Sequence, residues 1–354
     1  MKKYYLLPVV CVLLILGSRA QNLRIGPGAQ VIVTGAPVIV LNNISLINNG
    51  HFITGHSTVS FNGDTQAYIG GGNPISFYRL AVNLPSGGLQ LYNNAAVSGD
   101  MVLDNGNLQL NANRLSLGSA ARIIGERNEA RITGDNGGSV SITVPLNAPH
   151  AVNPGNIGVE ITSKDNLGLT TITRGHSLQD NINGQTGIQR YFDIAPSLHT
   201  DAPATLRFFY FDAELGDNNK NELNLFTAPT GQNYWITEGK DYSDGTGNWL
   251  LKSNIKTLQR FTLAPAPTGK VTGASVQVYP NPSRDMITLL LFSAIEKDGA
   301  ISLQDLSGRI LENRRIHCRP GINKVVWKIS RYTAGAYRLV FEKLGVRNTT
   351  ILKQ

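Results

Sequence analysis

Met101-Val102-Leu103-Asp104-Asn105-Gly106-Asn107-Leu108-Gln109-Leu110-Asn111-Ala112-Asn113-Arg114-Leu115-Ser116-Leu117-Gly118 decides the fold. Leu108-Gln109-Leu110 returns seven residues later as Leu115-Ser116-Leu117, with Asn111 to Arg114 between them. A seven-residue step also occurs in coiled coils, but Asp104-Asn105-Gly106-Asn107 is turn chemistry and each Leu-x-Leu pair has period 2, so short strands fit better. The pattern continues on either side in Val31-Ile32-Val33, Val38-Ile39-Val40 and Leu89-Gln90-Leu91. Five Asn-Gly pairs, beginning at Asn49, Asn62, Asn105, Asn136 and Asn183, mark corners where positive φ costs little. Strands this short need many neighbours. A β-solenoid supplies them by stacking rungs, and an antiparallel sandwich supplies them by layering. For residues 21–154 the density of Gly/Asn corners favours the solenoid over the sandwich.

Ahead of this region, Met1-Lys2-Lys3, the apolar run Tyr4 to Leu16 and Ser18-Arg19-Ala20 read as a secretory signal peptide over residues 1–20, cut between Ala20 and Gln21. The apolar run is shorter than the ~20 residues of a spanning helix. Cys11 falls in the leader, which leaves Cys318 alone, so no internal disulfide is expected in the mature chain. The formal charge is +8, yet residues 277–354 hold 13 basic side chains against 6 acidic ones. The body ahead of them carries no basic excess, which argues against a nucleic-acid partner.

From 155 to 263 the strands lengthen and aromatics gather in Tyr191-Phe192, Phe208-Phe209-Tyr210-Phe211, Phe226, Trp235 and Trp249, as suits a β-sandwich of about 100 residues. Residues 264–275, opening Ala264-Pro265-Ala266-Pro267, read as a linker.

Chemistry-bearing motifs are sparse. Asp217-Asn218-Asn219-Lys220-Asn221-Glu222 has alternating oxygen ligands, but Glu222 and Ala228 stand where a calcium loop needs glycine and a bidentate carboxylate, so the stretch reads as a solvated loop. His51, His56, His150, His176, His199 and His317 lack zinc spacing, and no metal or cofactor is expected. Gly70-Gly71-Gly72 reads as a flexible corner. Asp100, Asp104, Glu126 and Glu129, with Arg122, Arg127 and Arg131, could line a groove suited to glycan cleavage. They read more simply as the wet side of a solenoid, and no residue is assigned as catalytic. Tyr234, Trp235, Tyr242 and Trp249 could stack on sugar rings or pack a core. Trp235 and Trp249 are the candidate glycan contacts.

Beyond the linker, Tyr279-Pro280-Asn281-Pro282 enters as a stiff extended edge, because Pro280 and Pro282 cannot donate to a sheet. Strands are expected at 286–292, 300–304, 324–329, 337–341 and 349–352, with turns at Ser307-Gly308 and Ala334-Gly335. Together they predict a small Ig-like sandwich over 276–354, and for the whole chain an all-β architecture of solenoid, sandwich and sandwich.

Pro280-Asn281-Pro282, then Asp305-Leu306-Ser307-Gly308-Arg309, then Gly335-Ala336-Tyr337 and finally Lys353 resemble, in that order, the type A C-terminal sorting domain of the type IX secretion system. The stretches Ser76 to Val82 and Val97 to Leu103 also look like repeats of surface proteins exported by that route. The resemblance implies recognition by the type IX secretion machinery, export, removal of the tail, and either release or attachment to surface lipopolysaccharide. Gln354 after the terminal lysine departs from the pattern, as does Cys318. The expected protein is a secreted or cell-surface structural or adhesive one. The alternative is a surface protein that binds or degrades glycans.

Overall fold

The computed structural model describes residues 22–180, 182, 185–198, 202–228, 235–265, 275–293, 296–319 and 321–354. The expected leader with Ala20 and Gln21, linker residues 266–274, His199, Tyr234 and the pair Asn183-Gly184 lie outside them. Among the described residues the chain is all-β apart from three single-turn 3-10 segments. It divides into two compact units, one running to Val144 with Asn153–Ile157 and Thr171–His176, the other holding the rest.

The first unit is a parallel β-solenoid with three faces. Its first face stacks Asn22–Ile25, Ser45–Asn48, Ala67–Gly70, Leu89–Leu91, Leu108–Gln109 and Ile132–Thr133. A second stacks Ile75–Phe77, Ala95–Val97, Arg114–Leu117 and the strand opening at Ser139. The third stacks Val38–Asn42, Thr58–Asn62, Arg79–Asn83, Asp100–Asn105 and Arg122–Ile124. One side chain in two points inward, so each rung adds a few apolar groups to columns whose members stack about 4.8 Å apart. Ala67, Leu89, Leu108 and Ile132 form one such column, Phe77, Val97, Leu117 and Ile142 another, and Phe61, Val82 and Leu103 a third; all are buried. Burying each leucine stabilises the stack by about 2 kcal/mol.

The seven-residue echo of Leu108 and Leu115 has a simple origin: the two segments lie on adjacent faces of one rung. The repeat itself is longer and uneven. Leu89 pairs with Leu108, nineteen residues on, and Leu115 with Val140, twenty-five on. Phe77 pairs with Val97 and Val82 with Leu103, which sets the two surface-protein-like stretches directly above one another.

Corners follow the Gly/Asn pattern. Gly70-Gly71-Gly72, expected as flexible, is instead a tight corner: Gly71 has φ +113°, and a Cβ there would lie 2.2 Å from the Asn48 carbonyl oxygen. Gly72 N–H donates to Asn49 Oδ1 at 2.7 Å. On the third face Asn42, Asn62, Asn83 and Asn105 align rung over rung, and Asn105 Nδ2 donates to Asn83 Oδ1 at 2.8 Å.

The later end of the stack is closed by polar side chains. Arg127 donates to the carbonyls of Leu103, Asp104 and Gly125. Asn156 Nδ2 donates to Ile123 O at 3.2 Å. Below them Arg174 grips Glu126 with two bonds of 2.8 Å, its side chain fully buried and that of Glu126 9% exposed. Glu126 Oε1 also accepts from Ile132 N–H at 3.0 Å.

In the second unit, Val159–Thr162, Ala204–Phe209, Trp249–Ile255 and Tyr242–Asp244 form one antiparallel sheet. Tyr191–Pro196, Arg260–Pro265, Leu223–Ala228 and Ile236–Gly239 pair antiparallel as well. Phe192 meets Phe208 edge-on at 4.9 Å. Arg190 and Glu214 form a second buried ion pair at 2.7 Å.

Candidate functional site

Residues 275–354 fold as two antiparallel sheets around one core. Ser275–Tyr279, Met286–Ser293 and Gly321–Lys328 make the first; Ile310–Cys318, Lys297–Gln304, Gly335–Glu342 and Thr349–Lys353 make the second. Ile287, Leu289 and Leu291 from one meet Ile301, Leu303, Leu339 and Phe341 from the other, with Trp327 fully buried among them. Tyr337, Leu339 and Phe341 point inward while Arg338 and Glu342 are exposed, as period 2 requires. Cys318 is buried in the same core, and its burial raises the thiol pKa.

Three sequence motifs acquire distinct structural tasks. Asn281, between the two prolines, reaches the last strand: its Nδ2 donates to Thr350 O at 3.1 Å and its Oδ1 accepts from Leu352 N–H at 2.8 Å. Ser283 continues the contact through Ser283 N–H to Leu352 O and Gln354 N–H to Ser283 O, both 2.9 Å. The strand bearing Lys353 is therefore tied to the start of the domain.

Asp305 builds the second motif. Its Oδ1 accepts from Ser307 N–H at 3.0 Å and Arg309 N–H at 3.1 Å, and its Oδ2 from Arg309 Nε at 3.1 Å. Gly308 supplies the φ of +87° that the turn needs. The hydrogen bond from the Ser307 hydroxyl, followed by those from the Arg309 and Ser307 backbone, holds the Asp305 carboxyl below its ordinary range. Leu306 and Arg309 stand out at the tip, each 76% exposed.

In the third motif Gly335 pairs with Lys353 and Tyr337 with Ile351. The Tyr337 ring is buried and its hydroxyl donates to Thr333 O at 2.7 Å.

Sequence reading missed Glu312. It sits on Ile310–Cys318, an edge strand in which four polar residues, Glu312 to Arg315, run together and of which Cys318 alone is buried. Glu312 Oε2 accepts from Trp327 Nε1 at 3.0 Å and from the Tyr332 hydroxyl at 2.8 Å, and Oε1 accepts from Arg314 Nε at 2.8 Å. Desolvation raises its pKa, but these donors outweigh it and hold the carboxyl at about 2. On the same strand His317 lies between Asp298 and Glu296 at 2.9 and 2.8 Å, and hydrogen bonds first to Asp298 and then to Glu296 raise its pKa.

Candidate residues elsewhere are dispersed. Glu126 is occupied by Arg174, Asp100 by Arg79 at 3.6 Å, and Arg127 by backbone carbonyls. In the Asp217–Glu222 loop Asn219 Oδ1 accepts from Asn221 N–H, and Lys240 Nζ donates to Asn221 O at 2.8 Å. Among the described residues no three His, Cys, Asp or Glu side chains converge as a metal site. The two tryptophans part company. Trp235 packs against Ile182, Phe226, Ala228 and Ala264, so it faces a core and not solvent. Trp249 lies 5.2 Å from the ring of Tyr242, which is 58% exposed, with the Arg207 guanidinium 4.6 Å from its own ring.

No curated protein and no solved structure matches this chain. Residues 277–352 match the family described as the secretion system C-terminal sorting domain. The matched segment contains the Asn281 tie, the Asp305 turn and the Tyr337 strand, so the tail is a type IX secretion sorting domain that engages the type IX machinery and marks the chain as a secreted or cell-surface protein.

Proposed function

We propose that the solenoid and the strands following it form a structural, adhesin-like body without catalytic activity, and that the tail is the address that takes this body outside the cell. The observation that carries the reading is the sorting domain at 277–352, folded around its own core. In this reading residues 155–263 are a β-sandwich and the tail is an Ig-like one. The leader is removed after Ala20, and the tail is cut off within Ala264 to Ala274. The body is then released or held at the outer membrane by lipopolysaccharide. Truncation after Lys270 should abolish delivery while the body accumulates inside the cell. Equal delivery of the truncated and full chains would refute the reading.

A second reading, a glycan-binding surface protein, is favoured by one observation: the exposed Tyr242 ring beside Trp249. On a glycan array, binding lost in Trp249→Ala but present in Tyr234→Ala would support it. Binding by neither variant nor parent would dispose of it.

A further inference from the structure

We infer that the first rung of the solenoid is an interface at which two copies of this chain join edge to edge. Asn22–Ile25 and Val38–Asn42 are end strands of their sheets, and Gln30–Ile32 pairs only with His51–Ile53. Among the described residues nothing pairs their outer side, which leaves a row of backbone N–H and C=O groups open to strand addition. The side chains around this edge are apolar and uncovered: Ile32 is 60% exposed, Val38 64% and Val40 52%, with Leu23, Val31 and Ile53 exposed beside them. From Asn22 to Gly50 the only charged residue is Arg24. The lysines that commonly guard a free edge are missing here.

The opposite end shows how this fold treats an edge it closes. There Arg127, Asn156 and Glu126 bond the terminal backbone groups of Leu103, Asp104, Gly125, Ile123 and Ile132. Among the described residues the first end has no such cap. Reading Met1 to Ala20 as a leader, on which this inference rests, leaves Gln21 alone ahead of Asn22, too little chain to cover three strands.

A second copy fits in three respects. It brings the same open strands, the same apolar columns and a single Arg24, so no row of like charges opposes the contact. A two-fold arrangement makes the patch self-complementary and closes the assembly at two copies. At the capped end Ile123 O and Ile132 N–H are already bonded, which works against head-to-tail growth into a filament.

Sedimentation velocity of the chain from Gln21 to Gln354, over roughly 1 to 100 µM, tests this. The expected result is a species of two chains that dissociates on dilution. Val38→Lys with Val40→Lys places lysines at exposed positions on the edge and should yield a single-chain species whose melting temperature, at dilutions where the parent is also a single chain, equals the parent's. Leu306→Lys, on the tail, should leave the pair intact. A single chain at every concentration overturns the inference, and so does a pair indifferent to the two lysines. Intact mass of the exported protein judges the leader separately: a chain beginning before Gln21 removes the leader reading, whereas the sedimentation result decides the edge contact on its own.

Discussion

The buried pair Glu126–Arg174 should be worth far more as a pair than either member is worth alone. Arg174→Met removes two 2.8 Å bonds and leaves a nearly buried carboxylate, while Glu126→Leu leaves a fully buried guanidinium. Each single change should cost about 3 to 5 kcal/mol, the penalty of an uncompensated buried charge. The double variant Glu126→Leu/Arg174→Met strands no charge. It loses the bonds to Ile132 N–H and Ile157 O, about 1 kcal/mol each, and so should cost about 2 kcal/mol. The double-mutant cycle then yields a coupling of several kcal/mol. All three tryptophans lie outside the solenoid, so amide exchange read by mass spectrometry over residues 108–146 is the appropriate assay. Either single variant should exchange there about two to four orders of magnitude faster, and the double variant about thirtyfold faster. Single variants less than tenfold faster, or a double variant equal to the product of the singles, would refute the reasoning.

Two further perturbations test the corners and the tail. Gly71→Ala should cost about 3 kcal/mol because its Cβ meets the Asn48 carbonyl, whereas Gly137→Ala, at φ +90° with open space around it, should cost about 1 kcal/mol; urea unfolding compares them. Glu312, held at about 2 against an ordinary 4.5, contributes stability that is complete above pH 4.5 and is lost as pH falls towards 2. Screening by solvent reduces that contribution to about 1 to 2 kcal/mol. Glu312→Gln should lose this amount at pH 7 and flatten the acid limb, as followed by Trp327 fluorescence in a Trp235→Phe/Trp249→Phe background.

Much of the solenoid was legible because its signals are local. Leu-x-Leu pairs fix which side chains turn inward, and Asn-Gly corners fix where the chain bends. The period was not legible, because rungs of nineteen to twenty-five residues differ in their loops while the inward columns stay in register. Glu126 read as a surface charge and Arg174 carried no signal at all, since their pairing spans 48 residues and leaves no local trace. In the tail five strands were foreseen, but Ser275–Tyr279 and Ile310–Cys318 were not. On the latter, Glu312, Arg314 and His317 make tertiary hydrogen bonds that no alternation of polarity encodes. The aromatic residues show the same limit: Trp235 and Trp249 look alike in sequence, and only the packing of Ile182, Phe226 and Ala264 around one of them tells core from surface.

The tie between Asn281 and the final strand also bears on timing. A polypeptide stopped short of Thr349 cannot supply the partners for Asn281 and Ser283, and Gly335 to Leu339 lose their neighbour on one side. The fold therefore stays open until the strand Thr349–Lys353 is in place. A transport system that recognises the closed fold would pass chains that carry this strand and leave behind those truncated before it, with the geometry of one asparagine deciding between them.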